Sequence, residues 1–219
     1  MGKNLDSKLV NKSDTAYESV KKDIINNELK GGEIISEKEF ADKLQMSRTP
    51  VRSAFQKLAV EGFIKILPSR GAIIQEMSIK EANDIYDLRI SVETFVLKKA
   101  FALITQKDIN NLRDIIENQR NAYINGNIDK CMESMEHDIK FHGYFSNLYE
   151  NNKIKEVILN FRERLTAYGY LALIKPGRIY TTLNEHEKVV DALEKRDLRA
   201  AIENLEIHFE NAKTMFFLK

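Results

Sequence analysis

The sequence predicts a mainly α-helical protein in two parts, a small unit of helices closed by a β-hairpin and a larger antiparallel helical bundle. Capped helical patterns fill residues 17–62, and "FIKILPSRGAIIQ" then places two β-rich runs around a Pro-Ser-Arg-Gly turn, which is a hairpin signal. Beyond "EMSIKEAND" the chain is long amphipathic helix with almost no β-rich run. We therefore expect domains at 9–75 and 80–219.

Composition limits the class of protein. The chain has 219 residues, of which 43% are hydrophobic and 31% charged, as in ordinary globular proteins. Its single cysteine, Cys131, excludes an intrachain disulfide framework and fits a reducing compartment. No apolar run is long enough for a signal peptide or a membrane span, so we expect a cytoplasmic protein with no membrane partner.

Charge is divided unevenly along the chain, although the net charge is only +1. Up to residue 75 there are 13 Lys and Arg against 10 Asp and Glu, and after it 21 against 23. The first part is thus mildly basic, which is a weak indication of a nucleic-acid partner and needs motifs to support it.

Three helical segments precede the hairpin. "YESVKKDIINNEL" has apolar residues at 17, 20, 24 and 25, which share one helix face, and it should end at Gly31-Gly32. "SEKEFADKLQM" begins with Ser36 and has Glu39 three residues later, the pattern of a capping box. "SRTPVRSAFQKLAVEG" has Ser47 as N-cap and glycine near its end. This order is that of a winged helix-turn-helix.

Arginines mark the positions where such a unit would meet DNA. Arg48 and Arg52 are one turn apart at the start of the third helix, so they project from the same face. A helix entering the major groove uses its first residues to reach bases and phosphates, and arginine can pair with guanine or phosphate. Arg70 lies at the hairpin turn, where a wing approaches the backbone or minor groove. The alternative is that these arginines only solvate the surface.

The stretch "GGEIISEKEFADKLQMSRTPVRSAFQKLAVEGFIKILPSRGAII" resembles the winged-helix domain of the GntR family of bacterial transcription regulators. About fifteen positions agree with that family's pattern in order and spacing. The residue after the "SE" pair is often a DNA-contacting arginine in relatives, whereas here it is lysine, which lacks the bidentate fork. The DNA contacts that the resemblance implies are Lys38, Ser47, Arg48, Thr49, Arg52, Arg70 and Gly71.

The second part reads as six helices with short connections, which predicts a bundle. The second of them starts with Thr105 and Asp108, a cap and its partner. The helices correspond to "EANDIYDLRISVETFVLKKAFAL", "TQKDINNLRDIIENQRNAYINGN", "DKCMESMEHDIKFHGYFSNLYEN", "KIKEVILNFRERLTAYGYLAL", "TTLNEHEKVVDALEKRD" and "LRAAIENLEIHFENAKTMFF".

Three of the four histidines fall on core-facing positions of this bundle. Asp138 and His142 are spaced i, i+4 on an inward face, and His186 and His208 are in register with apolar neighbours on their own helices. Unpaired imidazoles and charges are costly to bury, and one metal ion would satisfy all four groups. Such ligands suit zinc, nickel, manganese or iron, with one or two positions left for water or an acid ligand.

The competing interpretation treats each histidine as a separate, hydrogen-bonded core residue. His137 lies about 100° round the helix from Asp138 and should face the surface. Cys131 is about two turns from Asp138, so we expect it to be a core residue and not a ligand.

The segments "HDIKFHGYFSNLYENNKI", "NEHEKVVDALEKRDLRAAIENLEIHFENA" and "YDLRISVETFVLKKA" are similar to the FCD ligand-binding domain of the FadR branch of GntR regulators. The resemblance implies that Asp138, His142, His186 and His208 are the metal ligands. Six helices correspond to the shorter, VanR-like members. Arg89 matches an arginine that often faces the effector pocket, and Arg162 could do the same from the fourth helix.

The combined prediction is a regulator, most simply a repressor, that binds a palindromic operator as a homodimer. A small carboxylate effector on the metal and an arginine would shift the balance between two arrangements of the winged helices. A metal-sensing regulator, in which the ion is the signal, is one alternative. A metal-dependent enzyme is another, since the same ligands could activate water.

Overall fold

The computed structural model describes residues 3–68, 70–124, 128–173 and 178–214, and the side chains of most of them. The chain separates into two compact units, one of residues 1–77 with 163–168 and the other of residues 78–162 with 169–219. Within the described ranges, no helix combines the length and the apolarity that crossing a membrane requires. The predicted core position of Cys131 falls outside the described side chains.

The first unit is a winged helix-turn-helix, as predicted. Its sheet is antiparallel in the order β1-β3-β2, and the hairpin pairs Ile64 with Ile74 and Leu67 with Gly71. The two-residue strand β1 was not predicted from the sequence. The elements are α1 (Lys3–Ile25), β1 (Ile34–Ile35), α2 (Glu37–Lys43), α3 (Arg48–Val60), β2 (Ile64–Leu67) and β3 (Gly71–Ile74).

Local signals explain most helix ends in this unit. The capping box of α2 is confirmed, because Glu39 N–H donates to Ser36 Oγ and Ser36 N–H donates to the Glu39 carboxylate. Ser47 takes the N-cap position of α3, but no capping hydrogen bond to its side chain is formed within the described helix. The expected end of the first helix at the glycine pair is wrong. α1 ends at Ile25, since Asn27 adopts a φ of 59° and stops the helix.

Gly71 allows the hairpin to pack against β1. Its φ is +95°, a region that side chains rarely tolerate, and a Cβ added there would lie 2.1 Å from the Ile35 carbonyl oxygen. Ile35 pairs with Ala72 in the same sheet. Glycine at this position therefore allows the close approach of β3 to β1, directly after the turn that carries Arg70.

The second unit is the predicted helical bundle. α4 packs against α6 and α9, α5 against α6 and α8, and α8 against α9. Phe141, Leu183 and Phe209 are fully buried in its core. The predicted Thr105–Asp108 cap is present at the start of α5. The helices in the described ranges are α4 (Ile79–Ala100), α5 (Gln106–Ile124), α6 (Ile128–Tyr149), α7 (Asn152–Leu173), α8 (Arg178–Glu194) and α9 (Leu198–Thr214), with a 3-10 turn at Phe101–Leu103.

Candidate DNA-binding surface and metal centre

A groove of about 570 Å³ in the first unit brings together most of the side chains predicted to contact DNA. It is bordered by α2, the first turns of α3 and the hairpin, and we call it the DNA groove. The predicted contacts that line it are Lys38, Arg48, Arg52, Arg70 and Gly71. Four of them are cations, one from α2, two from α3 and one from the hairpin turn, and a surface with this charge suits contact with phosphates. Ser47 and Thr49 are exposed at the start of α3, outside the groove lining.

Glu37, which the sequence did not single out, also lines the DNA groove and holds Arg52. The Arg52 Nε atom lies 3.0 Å from Glu37 Oε1, and Nη2 lies 3.0 Å from Oε2. The hydrogen bond to Glu37 raises the pKa of Arg52, whose side chain is 63% exposed. One edge of the guanidinium, formed by Nε and Nη2, is thus occupied, and the Nη1 hydrogens with the outer Nη2 hydrogen remain available to acceptors on DNA.

In the second unit, the structure brings the four predicted metal ligands together. Asp138, His142, His186 and His208 each offer one ligand atom, and these atoms all lie within 4.8 Å of one another. His142 Nε2 is 3.1 Å from His208 Nε2, and Asp138 Oδ1 is 3.9 Å from His142 Nε2 and 3.6 Å from His186 Nε2. We call these residues the histidine cluster. His137, expected at the surface, is half-buried.

The cluster has the chemistry of a divalent-metal site. Metal–ligand distances of about 2.0–2.2 Å place ligand atoms roughly 3 to 4 Å apart, which the observed separations approach. Burial lowers the pKa of His142 and of His186 well below its ordinary value, and nearby positive charges lower it further. Neutral imidazoles are the form that binds metal. Neither ring nitrogen of His186 has a hydrogen-bond partner among the described residues, although the side chain is fully buried.

The Asp138 carboxylate supplies the negative charge of the cluster. Burial raises its pKa, but the positive charges around it outweigh burial and hold the pKa below its ordinary value. Its side chain is 32% exposed, so the cluster has one side that water or a ligand can approach.

Glu185, a residue that sequence reasoning missed, orients His208. Its Oε2 atom accepts from His208 Nδ1 at 2.8 Å, which leaves Nε2 directed into the cluster. Arg178 and Asn211 donate to the same carboxylate. Burial raises the pKa of Glu185, but the hydrogen bond from His208 and the neighbouring charges outweigh burial and lower it, so this acceptor stays ionised.

Glu93 links the two predicted effector-binding arginines to the cluster. Its Oε1 accepts from Arg89 Nε at 2.8 Å, and its Oε2 lies 3.0 Å from His142 Nδ1 and 3.9 Å from Arg162 Nη2. The contact with His142 is close but lacks hydrogen-bond geometry. Both arginines are buried, and within the described residues Arg89 Nη2 and two nitrogens of Arg162 have no hydrogen-bond partner. These donors are available to an acid bound nearby.

Residues 12–74 match the bacterial regulatory proteins of the gntR family, and residues 84–211 match the FCD domain. The FCD match covers more than half of the chain. The chain belongs to the GntR family of bacterial transcription regulators. This GntR-family chain carries its DNA groove inside the first matched region and its histidine cluster inside the second.

Relatives of this GntR-family chain are regulators too. It is 28% identical to the transcriptional repressor RspR of Escherichia coli (strain K12), over 83% of this chain and 78% of that one. It is 26% identical to the transcriptional regulator YdhC of Bacillus subtilis (strain 168), over 89% and 86% of the two chains. The solved structure of E. coli McbR/YncC shares its fold with a TM-score of 0.77 at 19% identity, covering 94% and 98%. Domains and relatives are those of regulators, and the enzyme alternative is rejected.

Proposed function

We propose that this regulator is a cytoplasmic repressor that binds a palindromic operator as a homodimer, under the control of a small organic acid. DNA binding is assigned to residues 9–75 and effector binding to residues 80–219. The observation that carries the effector half of the proposal is the convergence of four buried or half-buried ligand atoms within 4.8 Å. The name of the relative RspR, a repressor, supports the direction of control.

A divalent ion in the histidine cluster would hold the effector. Asp138, His142, His186 and His208 would bind it, and zinc, nickel, manganese and iron all accept this donor set. The ion would supply a positive centre for a carboxylate at a remaining coordination position. The nitrogens of Arg89 and Arg162 that have no hydrogen-bond partner among the described residues support a second contact to the same acid. The six α-helices that the structure describes in the second unit support placement with the VanR-like members of the FadR branch.

The ligand can control DNA binding only through a difference in its affinity for two states of the dimer. Allosteric coupling is typically worth about 1 to 3 kcal/mol, which would change operator affinity roughly 5- to 150-fold. Because linkage is reciprocal, operator DNA should weaken effector binding by the same factor.

The test starts from an operator selected from random DNA with the purified, metal-loaded chain. A palindromic consensus and a two-to-one stoichiometry of protein to DNA are expected. Operator affinity is then measured by fluorescence anisotropy with added carboxylates, before and after removal of the metal by a chelator. If some carboxylates weaken binding only in the metal-loaded protein, the proposal holds. Metal-dependent binding that no carboxylate alters would instead favour the metal-sensor alternative.

Glu37 provides a prediction specific to the DNA groove. Glu37→Gln removes a carboxylate that faces incoming phosphates and frees the edge of Arg52 that it holds. We expect affinity for random-sequence DNA to rise roughly three- to tenfold at about 0.1 M salt, while the ratio of operator to random affinity falls.

Glu39→Gln is the matched control for this change. Glu39 is exposed on the same helix but outside the groove lining, and glutamine can replace glutamate in its capping box. Anisotropy titrations over a range of salt concentrations measure both affinities. Equal behaviour of the two variants would show that Glu37 has no part in DNA discrimination.

A further inference from the structure

A second groove, of about 490 Å³, lies in the second unit between α7 and the α5–α6 pair. Its size is within the range of small-molecule sites, and we call it the α7 groove. Apolar side chains, including those of Ile139, Ile158 and Leu159, form much of its lining. The charged residues that line it in the described part of the chain are Lys140, Lys155 and Arg162, all of them cations.

Arg162 is the first sign that this groove receives a ligand. Only 5% of the residue is exposed, and its Nη1 donates to the Ile139 carbonyl oxygen at 2.8 Å. Its Nε and Nη2 atoms have no hydrogen-bond partner among the described residues, and the Glu93 Oε2 atom lies 3.9 Å from Nη2. Burial lowers the pKa of Arg162 to about 10, so the group remains charged at neutral pH. Glu93 offsets part of this charge from 3.9 Å, but the open donors remain costly to bury unless an acceptor meets them.

Gly143 is an independent sign. It lies in the interior of α6, where glycine is a poor helix former, and its backbone φ is an ordinary helical one. A Cβ added there would meet no atom within 4 Å, so packing of the described residues does not require glycine. Gly143 lines the α7 groove. Because glycine has no side chain, the groove stays open where it passes over α6, and a ligand could lie there.

We infer that the α7 groove holds the apolar body of the effector, whose acid group is met by Arg162, so that the effector is an amphipathic organic acid. This inference rests on the proposed function, because Arg162 also lies beside Glu93 and the histidine cluster. Apolar side chains would cover the body of the ligand, and Lys140 and Lys155 favour the approach of an anion. Tyr144, Ser146 and Asn147 also line the groove, but the isoleucines and leucine favour an acid with an apolar body over one that carries hydroxyl groups throughout.

The test compares octanoate with acetate by isothermal titration into the zinc-loaded full chain. Both carry the same acid group, and only octanoate has an apolar body. We expect octanoate to bind at least tenfold more tightly than acetate. Gly143→Leu should remove this advantage by filling the groove, and Gly143→Ala should reduce it.

Two readouts separate loss of the groove from loss of the fold or of the metal site. Gly143→Ala should raise the thermal midpoint by about 2 to 4 °C, since alanine is the better helix former in open space. Zinc content should stay at the native level in both variants. Loss of ligand binding from a chain that is at least as stable as the native one and holds the same amount of zinc locates the effect in the groove.

The inference is overturned if octanoate and acetate bind equally, or if octanoate binding is unchanged in Gly143→Leu. Equal binding of both acids to the zinc-loaded chain would leave the proposed function standing, whereas binding of neither would count against both. Sedimentation adds a further check, because a native dimer that dissociates in Gly143→Leu would assign the groove to a second copy of the chain.

Discussion

Replacing His186 by alanine should strip the metal from this regulator. The native chain, purified or loaded with zinc or nickel, is expected to hold about one ion per chain. In the variant, the affinity should fall by more than about a hundredfold, because loss of an outer partner alone costs 10- to 100-fold and His186 would be a direct ligand. The Nε2 atom of His186 has no hydrogen-bond partner in the described structure, which leaves it free for this role.

The measurement is metal content by mass spectrometry, together with competition against a coloured chelator. Thermal unfolding gives an independent readout, since a ligand at 100 times its Kd stabilises a protein by about 2.7 kcal/mol. Zinc should therefore raise the midpoint of the native chain and have little effect on the variant.

His137→Ala is the matched control for loss of a histidine. His137 is half-buried on α6, the helix that carries Asp138 and His142, but it does not belong to the histidine cluster. The His137→Ala variant should bind metal as tightly as the native chain does. Comparable loss in both variants would point to destabilisation of the helical unit and not to coordination by His186. A native chain that binds none of the candidate ions would refute the metal site and leave the DNA groove unaffected.

Features with a local cause could be predicted from the sequence. The α2 capping box and the β2–β3 hairpin depend on residues within a few positions of one another, and both lie where the sequence placed them. Helical periodicity likewise identified Asp138, His142, His186 and His208 as inward-facing, although it could not show that three helices bring them within 4.8 Å.

Features that depend on contacts between distant segments could not be predicted. Strand β1 has two residues and is defined only by its partner β3, so no periodicity reveals it. Glu37, Glu93 and Glu185 look in sequence like ordinary charged helix positions. Their importance comes from Arg52, His142 and His208, which lie 15, 49 and 23 residues away in the chain.

The acids share a physical role that a sequence search for ligands overlooks. Each of the three contacts a residue that is predicted to bind DNA, the effector or the metal, and restricts the orientation of that residue. Glu185 leaves His208 Nε2 directed at the cluster, and Glu37 leaves one side of the Arg52 guanidinium open. Orientation of a binding group by an outer partner reduces the cost of ordering it when the ligand arrives.

Arg48→Ala should remove most of the preference of this regulator for its operator. Arg48 is exposed in the first turn of α3 and lines the DNA groove. A good arginine–guanine contact is worth about 1 to 3 kcal/mol of discrimination. In the proposed symmetric dimer the contact is lost from both half-sites, which gives about 2 to 6 kcal/mol, or at least about 30-fold in operator affinity. The fold should be unaffected, since a cation at a helix N-terminus is slightly unfavourable.

Lys57→Ala separates this loss from the effect of charge alone. It removes the same charge from the same helix, but the Lys57 side chain lies over the Tyr17 ring on the face that packs against α1, outside the DNA groove. Its operator-to-random affinity ratio should stay near the native value. In Arg48→Ala the ratio of operator to random affinity should fall by most of its native value. If Arg48→Ala instead loses the same factor on operator and random DNA, Arg48 contacts only phosphate, and the sequence preference must come from other residues of this surface.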